Sequence, residues 1–156
     1  MPDRARRMRS RPAFWFALAE SIAVMPWVVL SLRTRGFAGT MRSAAGSSTG
    51  AQAAPRLGAP VPVPVLVVTA AVTAVAGRRR TGWTCLPRAV TIVRLARRRG
   101  HEVELCLGVA SPAAGVLPAH AWVEYGGRPL NDTADVRDRY HVIPVPVPTE
   151  RNLSAR

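Results

Sequence analysis

The sequence predicts an α+β fold, with helices first and strands after them. Three stretches carry that prediction. Residues 84–100, TCLPRAVTIVRLARRRG, read as one helix: Thr84 caps it, Pro87 sits in a tolerant first turn, Arg97, Arg98 and Arg99 suit the negative end, and Gly100 supplies a left-handed stop. Leu86, Ala89, Val90, Val93 and Ala96 recur at three and four residues, so one face lies against other structure. In residues 102–109, EVELCLGV, the period drops to two. Val103, Leu105, Leu107 and Val109 fall on one side, and Glu102, Glu104, Cys106 and Gly108 on the other, which is the pattern of a strand. Residues 120–125, HAWVEY, and 128–133, RPLNDT, flank Gly126 and Gly127 and read as a hairpin.

From the N-terminus, residues 1–41 form a basic and apolar helical segment. Arg4, Arg6, Arg7, Arg9 and Arg11 precede residues 13–32, AFWFALAESIAVMPWVVLSL, and Arg33 and Arg35 follow. Twenty mostly apolar residues are long enough to cross a membrane. Glu20 within the run and Pro26 interrupting it argue for a docked helix instead, so docking on protein and contact with a membrane both stand. Residues 42–60 are rich in Gly, Ser, Ala and Pro and read as a linker. Residues 61–64 alternate valine with proline and read as extended, and 65–76, VLVVTAAVTAVA, as a buried helix too short to span a bilayer. A core domain is thus expected over 61–148, with a tail at 149–156.

The 156 residues suffice for one core, with room for an appendage. Net charge is +13, and all 22 basic residues are arginine. Aromatics are 6% and no nucleic-acid motif accompanies the charge, so a nucleic-acid partner is not expected, while an acidic peptide or a membrane surface is compatible. Two cysteines make no disulfide framework, and with no CxxC or histidine cluster neither a metal nor a cofactor is expected.

Cys85 opens the 84–100 helix. Unpaired amides and the positive dipole end favour an anionic sulfur there, the nucleophilic form; the plain alternative is a buried cysteine used as a small apolar residue. Cys106 lies mid-strand and reads as packing. Hairpin register decides whether His120 joins a site. A two-residue Gly126-Gly127 loop sets His120 opposite Thr133 and turns Asp132 to the other face. A three-residue loop over Tyr125, Gly126 and Gly127, with a glycine in the bulge position, pairs His120 with Asp132, leaving one imidazole nitrogen for Cys85. His101 and His141 read as incidental, and Trp83 as either packing or an indole donor near the site.

The run CLPRAVTIVRLARRRGHEVELCLGV followed by AHAWVEYGGRPLND resembles the stand-alone B protein of lasso peptide biosynthesis, a transglutaminase-like cysteine protease. The resemblance covers about residues 65–132. It implies a papain-like or transglutaminase-like core, in which a cysteine-bearing helix packs on a small antiparallel sheet. Cys85 is then the nucleophile, His120 the general base and acid, and Asp132 the orienting carboxylate. It further implies leader removal from a ribosomally made precursor peptide in the cytoplasm, a separate leader-recognition protein, and an asparagine-synthetase-like cyclase. The same residues with an amine acceptor in place of water would give an acyltransferase, and a catalytically silent, membrane-associated scaffold is the reading from a different class.

Overall fold

The computed structural model describes residues 12–45, 54–78, 85–110 and 119–144. Helices α1 (Pro12–Ala45), α2 (Val63–Arg78) and α3 (Cys85–Arg97) come first. Strands β1 (Glu104–Ala110), β2 (Ala119–Tyr125), β3 (Arg128–Pro129) and β4 (Tyr140–Ile143) follow, with a single-turn helix α4 (Val136–Arg139) just before β4. The strands form one antiparallel sheet in the order β3-β2-β1-β4. The α+β expectation therefore holds.

Helix α3 is the centre of the packing. It touches α1 and α2 on one flank and β1 and β2 on the other. That explains why burial extends beyond the predicted stripe to Pro87, Thr91, Ile92 and Leu95. Its end is a Schellman motif: Gly100 N–H donates to Arg97 O, His101 N–H donates to Ala96 O, and Gly100 takes φ 77. The predicted cap, Thr84, lies outside the described residues.

Three sequence expectations change in the helical half. Helix α1 runs straight through Pro26, whose missing amide falls on the exposed side, and it breaks at Gly36 instead, where φ is 68 and ψ −177. Residues 42–45, read as linker, are the end of that helix, whereas 46–53 are outside the described residues. Val63 and Pro64, read as extended, form the first turn of α2, a position where proline's fixed φ is helical and its lost amide is free anyway. The rest of α2 behaves as the sequence predicts: Val65, Val68, Ala71 and Val72 are fully buried in the core shared by all three helices and the sheet. The tail at 149–156 and residues 111–118 are outside the described residues.

The sheet has two occupied faces. Val103, Leu105, Ala121 and Val123 meet the helices. On the reverse side Cys106, Trp122, Val136 and Tyr140 make a second, smaller core. A two-layer domain needs only one apolar sheet face, so this second cluster is additional to the core that joins sheet and helices.

Candidate active site

Cys85 is the first residue of α3, half-buried and in contact with the helical core. The opening amides of that helix have no intrahelical acceptors, so a negative charge at the sulfur or on a carbonyl beside it meets donors already in place. Trp83 lies outside the described residues.

His120 is the second residue of β2 and projects from the reverse side of the sheet, alternating with Ala121 and Val123. Its cross-strand partner is Gly108. A Cβ at Gly108 would come within 2.9 Å of both Trp122 Cζ3 and Tyr140 Cβ, so only glycine leaves room for the rings there. The imidazole centroid lies 5.0 Å from the Tyr140 ring and 6.0 Å from that of Trp122, the latter stacked at 18°. Two aromatic walls fix the plane of the imidazole.

Asp132 holds the imidazole by its edge, with Oδ2 2.5 Å from His120 Nε2. The route to that contact differs from the expectation. Tyr125 pairs with Arg128 and Glu124 with Pro129, so the loop is the two-residue Gly126-Gly127, both glycines at positive φ as a type I′ turn requires. No bulge is present in it. Strict pairing would then turn Asp132 away, but the ladder stops early. Leu130 N–H still donates to Val123 O at 2.9 Å, after which the Asn131 side chain replaces backbone, its Oδ1 accepting from Val123 N–H at 2.8 Å. The chain bends at residues 130–132 and swings Asp132 back onto His120.

The carboxylate is secured from its other side. Asp132 Oδ1 accepts from Thr133 N–H and from Arg139 Nη2, both at 2.8 Å. Burial works against charge on Asp132, but the bonds from His120, Thr133 and Arg139 outweigh it and hold the carboxyl below its usual range. His120 Nδ1 is buried and has no hydrogen-bond partner among the described residues. The structure thus brings His120 and Asp132 together and leaves one nitrogen open; it does not bring the Cys85 sulfur into hydrogen-bonding distance of that nitrogen.

Four residues along β2 from His120 lies an element that sequence reasoning missed. Glu124 is fully buried, and its carboxylate takes Trp122 Nε1 at 2.7 Å, Arg137 Nε at 2.9 Å and Arg137 Nη2 at 2.7 Å. Burial again opposes the charge, and Arg137 and Trp122 overcome it. Arg137 and Arg139 sit on the same short helix, so Glu124 ties down the segment that carries Arg139 to Asp132. The signal was available: period two puts His120, Trp122 and Glu124 on one face. Cys106 lies in the same layer, where burial first, and then the Glu124 and Glu104 charges, push its thiol up to about 12. Ligand atoms of Glu104, Cys106 and Glu124 lie within 4.8 Å of one another, but both Glu124 oxygens are engaged by Arg137, so the carboxylate is committed to a guanidinium and not to a metal ion. His101 sits at the exit of α3, and His141 on β4 is exposed.

Comparison with curated proteins and with solved structures returns no match. A sequence model of one protein family, described as the transglutaminase-like superfamily, matches residues 23–145.

Proposed function

The chain belongs to the transglutaminase-like superfamily, whose members are typically cysteine proteases or acyltransferases, and from that membership we propose that it is a cysteine peptidase that removes the leader from a ribosomally made precursor during lasso peptide maturation. The observation that carries the reading is the state of His120: Asp132 holds Nε2 while a buried Nδ1 is left without a partner. What sets His120 apart from His101, whose Nδ1 is likewise buried without a partner, is the Asp132 carboxylate on the opposite nitrogen, which fixes the ring as a general base requires.

In the reaction, Cys85 gives its proton to His120 Nδ1 and the sulfur attacks the scissile carbonyl. The oxyanion is met by the Cys85 amide at the start of α3. His120 then returns the proton to the departing amine, leaving a thioester. Water loses a proton to the same nitrogen, attacks the thioester and frees the leader as a carboxylic acid. The aspartate holds tautomer and orientation throughout. Access is through the β2 edge: β3 pairs only with Glu124 and Tyr125, so the edge beside His120 has no strand partner among the described residues, and there sulfur and peptide are expected to reach the imidazole.

A separate leader-binding protein belongs to this proposal, because an extended peptide loses roughly 1 to 2 kcal/mol of backbone entropy per residue fixed and needs binding energy to offset it. The cyclase then receives the freed core peptide. The test combines purified protein, leader-recognition protein and precursor in single turnover, with fragments identified by mass. A free leader acid that disappears with Cys85→Ala is expected. Transfer of the leader to an added amine instead of water assigns an acyltransferase. Full-rate cleavage without the second protein removes the partner.

A further inference from the structure

Helix α1 has two apolar faces, and the protein covers one of them. Phe14, Ala17, Leu18, Met25 and Val28 are buried against the rest of the molecule. On the opposite side Trp15 is 59% exposed, Phe16 71%, Ile22 49% and Leu30 59%, with Ala19, Ala23 and Pro26 exposed between them. At about 100° per residue these side chains fall in a stripe about 120° wide, running about 22 Å along the helix. The stripe extends sideways onto α2, where Val63 is 53% exposed and lines a groove with Phe16, Pro64 and Arg98. An uncovered apolar strip of this kind on a basic protein has an occupant.

We infer that this face of α1 seats the protein on an anionic lipid surface, with the helix lying in the plane of the interface. Four observations choose that occupant. The C-terminal end of the stripe is cationic, with Arg33 and Arg35 exposed beyond Leu30, and in the sequence five more arginines, Arg4, Arg6, Arg7, Arg9 and Arg11, precede the helix. The one acid on the helix, Glu20, is neutralised by Arg98 at 3.2 Å and Arg99 at 2.6 Å. Second, the cationic end opposes self-association, since a second copy paired in parallel brings Arg33 and Arg35 against their own equivalents. Third, between Trp15 and Leu30 the stripe offers no hydrogen-bonding side chain apart from the Trp15 indole, while a protein interface carries about one hydrogen bond per 100–200 Å². Fourth, the segment Pro12–Ser43 is long and apolar enough to cross a membrane, with mean hydropathy 1.8, but one third of its apolar window is buried in the protein. Spanning would pull Phe14, Leu18 and Met25 out of the core; lying flat leaves them in place. Aromatic and aliphatic residues on one side and arginines around them are what an interfacial helix presents to acyl chains and to lipid phosphates.

The experiment is flotation of the purified full chain with vesicles of phosphatidylglycerol and phosphatidylcholine in equal parts, beside vesicles of phosphatidylcholine alone. The protein is expected to float with the first and to bind the second about tenfold less well. Paired Trp15→Ser and Phe16→Ser are expected to weaken binding to the anionic vesicles about tenfold, and Ile22→Ser to weaken it as well, with an unchanged circular dichroism spectrum because these side chains are outside the core. Arg33→Gln with Arg35→Gln weakens it and reduces its salt dependence. Absence of flotation, or flotation indifferent to the Trp15, Phe16 and Ile22 substitutions, overturns the inference. So does a dimer in sedimentation that the paired Trp15 and Phe16 substitution disperses, which gives the face to a second copy, and so does retention in the bilayer through an alkaline wash, which makes α1 a span.

Discussion

The side-chain oxygen of Asn131 accepts a hydrogen bond from the backbone amide of Val123 at 2.8 Å, standing where a strand carbonyl would stand. That substitution of side chain for backbone ends the β2–β3 ladder and frees the chain to carry Asp132 onto His120. Asn131→Ala leaves a part-buried amide unpaired, at a cost of about 1–3 kcal/mol, and lets the Asp132 loop drift. Turnover is expected to fall at least about tenfold with substrate binding nearly unchanged, and Asn131→Asp, which keeps the acceptor, to recover part of it. A kcat and KM comparison of the two variants checks this.

The two cysteines are expected to part company under alkylation. Cys106 is 1% exposed with its thiol pushed up to about 12, so at neutral pH it holds its proton and stays unlabelled by iodoacetamide. Cys85 at the helix start labels first. Correspondingly, Cys85→Ala and His120→Ala abolish cleavage, Asp132→Ala reduces it less completely, and Cys106→Ser keeps the rate within about threefold. Peptide mapping of the labelled protein beside the variant rates decides it; equal loss from both cysteines would end the assignment of Cys85.

Gly108→Ala is expected to disturb the site from the strand opposite. The added methyl would sit 2.9 Å from Trp122 and from the Tyr140 Cβ, and the Tyr140 contact is close to backbone that cannot swing aside. Overpacking of this kind costs about 1–3 kcal/mol, read as a lower Tm. Because the displaced rings are those that flank His120, activity at a temperature where the variant is still folded falls too.

Glu124 and Asp132 set the acid limb of stability. Both carboxyls lie below their ordinary values in the folded protein, so between the folded and the unfolded values the unfolded chain binds more protons. Their contribution is complete above the usual carboxylate range and drains away as pH falls below about 4 through the depressed values. Arg137→Ala removes the main counter-charge from a fully buried Glu124, whose carboxyl then rises, and the acid transition moves to higher pH. Denaturant unfolding of the native protein and the variant across pH 3 to 7 measures the shift.

Much of this was written legibly in the sequence. The α3 helix with its Gly100 stop, the buried α2 run and the period-two strands each follow from local chemistry, and the His120–Asp132 contact is one of the two outcomes the hairpin sequence allows. Register misled, because pairing rules count backbone positions, and the ladder here ends on a side chain, Asn131, that those rules do not count. The face Glu124 takes was legible from the period, but its burial as a charge was not, for a related reason. A carboxylate in a strand reads as solvated unless one knows that Arg137, thirteen residues on, folds back over it. For α1 the sequence leaves docking on protein and contact with a membrane both standing, because a helix apolar nearly all round does not say which side stays uncovered, and only packing does.

The position of α3 between the helical layer and the sheet also dictates an order of assembly. Helices α1, α2 and α3 follow one another along the chain and bury apolar surface against each other, so they can gather with little loop to close. The sheet has no such independence, since its helix-facing side is dry only once α3 lies under it. We therefore expect α3 to belong to the folding nucleus, and the layer of Trp122, Tyr140, Asp132 and His120 to be the last to set and the first to loosen. Native-state hydrogen exchange would show this as slow amides along α3 and faster ones through residues 130–140. On the proposed function, a site put together in that sequence acquires its histidine only after everything else has folded, so an incompletely made copy would carry a thiol but could not cut.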